Sequence, residues 1–99
     1  MYDSMNINEI SRINTNDPTN IILDIRDKYE YVLSHIIKSI NIPYTYLITI
    51  PQNYLNFENK YYIYCDSGVK SRKLCEYLSN LGYRCIDLIG GYKAYLDDR

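Results

Sequence analysis

The sequence lacks any long apolar run, because polar residues interrupt every stretch before it reaches the about 18 apolar residues of a membrane-spanning helix. It also lacks the basic segment and apolar run of a secretory leader at its N-terminus. Neither sign of charge is in excess: 11 Lys and Arg against 12 Asp and Glu leave a net charge of −1. Bulk electrostatics therefore favours neither nucleic acid nor a membrane surface as a partner, and we expect a cytoplasmic protein.

Cysteine is scarce and has no paired spacing. Cys65, Cys75 and Cys85 are odd in number and too far apart for the close pairs of a zinc site or a dithiol redox motif. This usage is typical of reduced thiols in a reducing compartment and predicts no metal centre. Cys75 shares a predicted helix face with Leu78, and Cys85 opens a predicted strand, so we interpret both as small core residues. A resolving role for either thiol would require its sulfur to reach Cys65.

The chain is long enough for one hydrophobic core. Its 99 residues, 46% of them hydrophobic, would bury roughly 60–65% of the surface that the unfolded chain exposes. No internal repeat and no low-complexity tract divides the chain. Residues 1–99 are therefore predicted to form a single domain.

Strands and helices alternate along the sequence. Apolar and β-branched residues predict short strands at 21–25, 39–42, 61–64 and 84–88. The first of these runs has the composition of a strand buried on both faces, which is typical of a parallel sheet. Helical patterns lie between and after the strands. This alternation predicts an α/β fold with a mostly parallel sheet.

The helices are predicted from capping residues and apolar spacing. The N-terminal helix has Asn6 and Glu9 as a capping box and ends near Asn14. A second helix runs from Asp27 to Leu33, and the segment from Pro51 to Lys60 is a surface connection. A later helix ends near Leu81, with Gly82 as its left-handed cap, and a terminal helix covers Tyr92 to Leu96. The residues predicted to face inward are Ile7, Ile10, Ile13, Tyr29, Val32, Leu33, Leu74, Leu78 and Leu81.

The stretch from Tyr61 to Leu74 reads as strand, cysteine, tight loop and helix. Cys65 falls at the end of the strand, where the first free N–H groups of the helix favour a thiolate. We therefore interpret Cys65 as a nucleophile. The amides of residues 66–71 can form an anion-binding nest around its sulfur, with Gly68 relieving the strain of the curl. Lys70 adds a cation near this nest and Asp66 opposes it.

Several ordered motifs resemble those of the rhodanese-like sulfurtransferase family. They are Asp24-Ile25-Arg26, Glu30-Tyr31, His35-Ile36, Asn41-Ile42-Pro43, Tyr64 to Ser71, Leu81-Gly82-Tyr83 and Gly90-Gly91. The resemblance implies a five-stranded, mostly parallel sheet flanked by helices, and a catalytic cysteine, Cys65, that cycles through a persulfide. It implies no metal and no organic cofactor. The implied cradle for the transferred sulfur is the backbone of Asp66, Ser67, Gly68, Val69, Lys70 and Ser71.

The same resemblance implies the partners. The donor would be a small sulfane compound or a persulfidated protein, and the acceptor a thiol or another nucleophile. This sequence departs from the family at Asp66, where a basic residue is frequent. An acid beside the sulfur opposes a small anionic donor such as thiosulfate, so we expect a persulfide donor to be preferred.

Asp24 and Arg26, at the end of the first buried strand, are expected to support the same rim of the sheet. They act either as a charge network that stabilises the fold or by shaping the site directly. The lone histidine, His35, is interpreted as structural.

The same residues also allow other functions. A rhodanese-fold module that docks a partner without sulfur chemistry is the main alternative, and Asp66 favours it. A cysteine phosphatase or arsenate reductase is disfavoured because Ser71, rather than an arginine, lies six positions after Cys65, with Arg72 one residue later. A glutaredoxin-like fold would need a proline loop after the cysteine, whereas Pro18, Pro43 and Pro51 all precede it.

Overall fold

A five-stranded parallel sheet forms the centre of the computed structural model, which describes residues 2–99. The strands lie in the order β1-β5-β4-β2-β3, and every neighbouring pair is parallel. The α/β fold expected from the alternation is therefore confirmed, with a wholly parallel sheet. The strands are β1 (Asp3–Asn6), β2 (Asn20–Asp24), β3 (Ser39–Asn41), β4 (Lys60–Tyr64) and β5 (Arg84–Ile89).

Helices cover both faces of this sheet. Alternate residues of one strand enter opposite layers: Ile63 belongs to a cluster with Leu47, Leu74 and Leu78, whereas Tyr64 belongs to a second cluster on the other face. Within residues 2–99, no helix is both long and apolar enough to cross a membrane. The helices are α1 (Lys28–Leu33), α2 (Tyr44–Thr49), α3 (Val69–Asn80) and α4 (Gly91–Asp97), with 3₁₀ helices at Ile7–Arg12 and Pro51–Asn53.

The N-terminus differs from the expectation in two ways. Strand β1 was not predicted, because its sequence, DSMN, is polar and its place is set by pairing with β5. The following helix is 3₁₀ and ends at Arg12. Asn6 caps it by accepting a 2.9 Å hydrogen bond from the amide of Asn8. The predicted capping box is wrong, since Glu9 forms a 2.9 Å ion pair with Arg12.

Helix α1 was predicted with the wrong face inward. Tyr29, Val32 and Leu33 are 75%, 68% and 69% exposed. The side that packs on the protein carries Tyr31, whose hydroxyl donates a 2.5 Å hydrogen bond to the carbonyl of Ser39. The prediction failed because six residues form fewer than two turns, too short for apolar spacing to define a face.

Two further predictions about buried residues need correction, one of them only in part. Leu81 was expected on the inner face of α3, but it lies beyond the helix and is 46% exposed. The connection before β4 is mostly exposed, as expected of a surface segment, except that Pro51 and Leu55 are buried. Both buried residues are apolar, and burying them removes hydrocarbon surface from water.

We predict that Leu78→Ala lowers the free energy of unfolding by about 2–5 kcal/mol, because a fully buried leucine is removed from the α3 layer. Leu33→Ala makes the same change on the exposed side of α1 and should stay within about 0.5 kcal/mol of the wild type. Urea unfolding followed by circular dichroism measures both. A loss for Leu33→Ala as large as that for Leu78→Ala would show that α1 is packed inward in solution.

Candidate active site

Cys65 follows the last residue of β4 and precedes a tight loop into α3. Its side chain is buried, at 4% exposure. Gly68 has φ +97°, a left-handed conformation that L side chains rarely adopt. A Cβ at this position would also lie 3.3 Å from the amide nitrogen of Gly90. Glycine therefore lets the loop curl tightly behind the sulfur.

Two main-chain N–H groups donate hydrogen bonds to Cys65 Sγ among the described residues. The amide nitrogen of Gly68 lies 3.1 Å from the sulfur and that of Ser71 lies 3.3 Å from it. Both belong to the first turn of α3 or its cap, where amides lack partners within the helix. Hydrogen bonds from N–H groups stabilise negative charge on the acceptor, so the two amides are oriented to stabilise charge that develops on the sulfur.

A cavity of about 460 Å³ opens in front of Cys65. Its size is in the range of small-molecule sites. The loop residues Asp66, Ser67, Val69 and Lys70 form one wall of this cavity, so the structure gathers the six predicted cradle residues around the sulfur and its entrance. The other lining residues are Ile25, Arg26, Asp27, Glu30, Pro43, Tyr44 and Thr45.

Arg26 lines this cavity and is paired with Asp24, which is fully buried. Arg26 Nη2 lies 2.6 Å from Asp24 Oδ2, and Nε lies 3.0 Å from both carboxylate oxygens. Nη2 also donates to the carbonyl of Ser34 at 2.6 Å. Burial works against the guanidinium charge, but the bonds to Asp24 outweigh burial and leave the pKa of Arg26 raised. Arg26 thus lines the cavity, whereas Asp24 holds its guanidinium from within the fold.

Two tyrosines contact this pair, Tyr64 from β4 and Tyr92 from α4, and neither was assigned a role from the sequence. The Tyr64 hydroxyl donates to Asp24 Oδ2 at 2.7 Å and accepts from the amide of Ile36 at 3.1 Å. Burial raises the pKa of the Tyr64 phenol, so it remains a donor. Arg26 Cζ lies 4.2 Å from the centroid of the Tyr92 ring, a cation–π contact. The sequence placed Tyr64 in the strand and motif before Cys65 and Tyr92 at the start of the terminal helix, but it gave no sign that either contacts Asp24 or Arg26.

The start of α4 holds the Cys65 loop by main-chain hydrogen bonds. The amide of Tyr92 donates to the carbonyl of Cys65 at 2.8 Å, and that of Lys93 donates to the carbonyl of Asp66 at 3.0 Å. Gly91, with φ +69°, allows this approach, because a Cβ there would lie 2.5 Å from the Asp66 carbonyl oxygen. A side chain at position 91 would therefore prevent this contact, which explains the glycine there.

The entrance of the cavity is acidic. Asp27, Glu30 and Asp66 contribute carboxylates, whereas the guanidinium of Arg26 is paired with Asp24. Lys70 brings a positive charge, and its Nζ lies 5.5 Å from the centroid of the Tyr44 ring. Carboxylates therefore outnumber the cations that remain for a substrate.

The other residues singled out from the sequence lie outside this cavity. The exposed ring of His35 stacks on Tyr31 at 3.8 Å, in the structural role that was expected. Cys75 and Cys85 are buried as expected for core residues, and contact with Cys85 together with burial raises the pKa of the Cys75 thiol. Arg72 lines a different cavity, behind the loop. Among residues 2–99, no three metal-ligating side chains come together as a metal site.

A family model described as "Rhodanese-like domain" matches residues 8–98 of this chain. Among curated proteins, the chain is 34% identical over 71 residues to the adenylyltransferase and sulfurtransferase uba4 of Ogataea parapolymorpha, covering 71% of this chain and 18% of that protein. It is 33% identical over 106 residues to the tRNA uridine(34) hydroxylase of Prochlorococcus marinus, covering 97% of this chain and 33% of that protein. The chain thus spans a third or less of the length of these two relatives.

Solved structures of similar size share the fold along the whole chain. A rhodanese-related protein from Thermoplasma volcanium superposes with a TM-score of 0.82 at 30% identity, covering 98% of this chain and 93% of that one. A rhodanese-like domain protein from Staphylococcus aureus gives a TM-score of 0.81 at 29% identity, covering 94% and 90%. The five-stranded parallel sheet is therefore the architecture of these proteins.

We predict that Gly91→Ala slows alkylation of Cys65 by iodoacetamide about tenfold, because the new Cβ pushes the Asp66 carbonyl and moves the amides away from the sulfur. Gly82→Ala is the matched control, since Gly82 also has a positive φ, +103°, but a Cβ there meets only the Phe57 ring at 3.4 Å. It should lose stability and keep the alkylation rate. Equal rates for the two folded variants would contradict this account of the loop.

Proposed function

This chain belongs to the rhodanese-like domain family, and we propose that it is a sulfurtransferase that carries a sulfane sulfur as a persulfide on Cys65. The observation that carries the proposal is the pair of amides, from Gly68 and Ser71, that face Sγ at 3.1 and 3.3 Å. A cysteine so placed at the bottom of an open cavity has both the charge stabilisation and the access that a nucleophile needs. The sulfurtransferase name of one relative supports the same class.

The proposed reaction has two displacements at sulfur. The Cys65 thiolate attacks the outer sulfur of a persulfide donor, R–S–SH; the new S–S bond forms as the donor's S–S bond breaks, and R–S⁻ leaves. An acceptor thiolate then attacks the outer sulfur on Cys65, which yields the acceptor persulfide and restores the Cys65 thiolate. The sulfane sulfur passes from the donor to the acceptor without a net change in oxidation level, so the reaction needs no external oxidant.

The role proposed for the loop is electrostatic. The backbone of residues 66–71 would surround the outer sulfur as it acquires negative charge. Amides that are already fixed in place stabilise this charge without having to reorient. Ser71 and Gly68 already contact the inner sulfur, whereas Asp66, Ser67, Val69 and Lys70 border the space that the outer sulfur would enter. No side chain is required as a general base, and no metal or organic cofactor takes part. The free cysteines fit action in the reducing cytoplasm.

We predict that incubation with a sulfane donor adds the mass of one sulfur atom to the intact protein, and that Cys65→Ser abolishes this gain. Intact-mass spectrometry measures it, with dithiothreitol treatment as the check that the added sulfur is reducible. Cys75→Ser is the matched control, because Cys75 is a buried core thiol, and it should still load. Absence of loading with thiosulfate, alkyl persulfides and a persulfidated protein would instead support a rhodanese-fold module that docks a partner.

We further propose that a persulfide is preferred over thiosulfate as the donor. Thiosulfate carries two negative charges to an entrance bordered by Asp27, Glu30 and Asp66, and like charges at short range disfavour binding. Arg26 offsets little of this repulsion, because Asp24 at 2.6 Å already balances the charge of its guanidinium. A persulfide carries less charge at its reacting end, so it avoids part of this repulsion.

We predict that Asp66→Arg raises kcat/KM for thiosulfate by about fivefold or more, as expected for about 1 kcal/mol of relieved repulsion at an exposed site. Raising the salt concentration should also speed the wild-type reaction, because ions screen the repulsion. Glu76→Arg makes the same charge change on α3 outside the cavity and should have little effect. Brisk thiosulfate turnover by the wild type, unchanged in Asp66→Arg, would disprove the preference.

A further inference from the structure

A buried carboxylate, Asp87, lies behind the Cys65 loop and has no part in the mechanism described above. It is on β5, beside Ile63 of β4 in the sheet register, and is 4% exposed. The three ion pairs found among residues 2–99 do not include it. A carboxyl group at such a site is costly unless hydrogen bonds compensate, and an apolar residue would fill the position at lower cost. Its presence therefore calls for a specific interaction.

That interaction is with Ser71. The Ser71 hydroxyl donates a 2.7 Å hydrogen bond to Asp87 Oδ1, and Ser71 itself is completely buried. The same hydroxyl lies 3.2 Å from the carbonyl oxygen of Gly68. The carboxylate is thus linked through one hydroxyl to the first turn of α3 and to its cap.

The two residues connected in this way are the two whose amides donate to the sulfur. Ser71 N lies 3.3 Å and Gly68 N lies 3.1 Å from Cys65 Sγ. The single proton of the Ser71 hydroxyl makes its short bond to Asp87, which fixes Ser71 directly, and the longer 3.2 Å contact with the Gly68 carbonyl adds a weaker restraint on Gly68. Hydrogen bonds weaken steeply with distance and angle, so small rotations of this turn would reduce both contacts with the sulfur.

We propose that Asp87 is a positioning residue for Cys65, which fixes the Gly68 and Ser71 amides against the sulfur through the Ser71 hydroxyl. Asp87 does not touch the substrate. Its effect on sulfur transfer rests on the proposed function, whereas its effect on the loop does not. Burial raises the pKa of the Asp87 carboxyl, while the Ser71 hydroxyl and the charge of Arg72 act against this rise. A neutral carboxyl retains an oxygen that can accept from Ser71, so the link needs an acceptor and no fixed charge.

The test is the rate of Cys65 alkylation by iodoacetamide, measured across a range of pH by intact-mass spectrometry. The Cys65→Ser variant gives the background alkylation of other groups. Ser71→Ala removes the hydroxyl and keeps the amide. We expect the midpoint of the profile to rise by about one pH unit, since the loosened amides stabilise the thiolate less. Thr19→Ala is the matched control, because the Thr19 hydroxyl makes a similar 2.7 Å bond to Asp17 at an exposed site, next to the start of β2. It should keep the wild-type midpoint.

Two substitutions of Asp87 distinguish its role as a hydrogen-bond acceptor from the effect of its negative charge. Asp87→Asn keeps an oxygen that accepts from Ser71, and it should keep the midpoint or lower it slightly, because a negative charge near the thiolate is lost. Asp87→Leu removes the acceptor and should raise the midpoint. The Ser71→Ala/Asp87→Leu double variant should match Ser71→Ala, since both changes break one link. If Asp87→Leu does not fold, Asp87→Ala, which also removes the acceptor, takes its place.

Wild-type midpoints in folded Ser71→Ala and Asp87→Leu would overturn the proposal and leave Asp87 with a role in stability alone. The rate of sulfur loading from a persulfide donor is the second measurement, and Ser71→Ala should lower it about tenfold while Asp87→Asn retains it. If the wild type takes up no sulfur from any donor, the proposed function fails. The alkylation profile still tests the positioning role in that case.

Discussion

The site depends most on the main-chain hydrogen bonds that join the Cys65 loop to the start of α4. The Cys65 and Asp66 carbonyls accept from the Tyr92 and Lys93 amides, and only glycine at position 91 permits this approach. Helix α4 is in turn held by the hydrophobic cluster on its face of the sheet. The packing of α4 on this face of the sheet therefore helps to hold the Gly68 and Ser71 amides against the sulfur. The contacts that stabilise the core thus also support the reactivity of Cys65.

The buried Asp24–Arg26 pair has a second consequence for the site. Burying an ion pair is costly, and the cost is offset here because Asp24 and the Ser34 carbonyl accept hydrogen bonds from Nε and Nη2 of Arg26. The guanidinium therefore lines the cavity with its charge already balanced by Asp24. The carboxylates at the entrance then dominate the potential that an incoming substrate meets, although the chain as a whole is nearly neutral.

Sequence reasoning succeeded where apolar runs were long and failed where pairing or register decided the structure. The runs around Ile22 and Ile63 could be predicted as buried strands because they are continuously apolar. They are apolar because helices cover both faces of the sheet. Strand β1 is polar, so only its pairing with β5 identifies it. The motif around Cys65 predicted the loop, but no pattern could place Asp87 against Ser71, because that contact follows from the register of β5 relative to α3.

The depth of the sulfur limits what can react with it. Cys65 is almost entirely covered and lines a recess in the surface, a shape that does not suit contact between the sulfur and a broad, flat protein face. For the proposed transfer, the matching partner would be slender: a free metabolite, or a cysteine carried at the tip of an extended tail. Selection by shape would then precede any selection by charge.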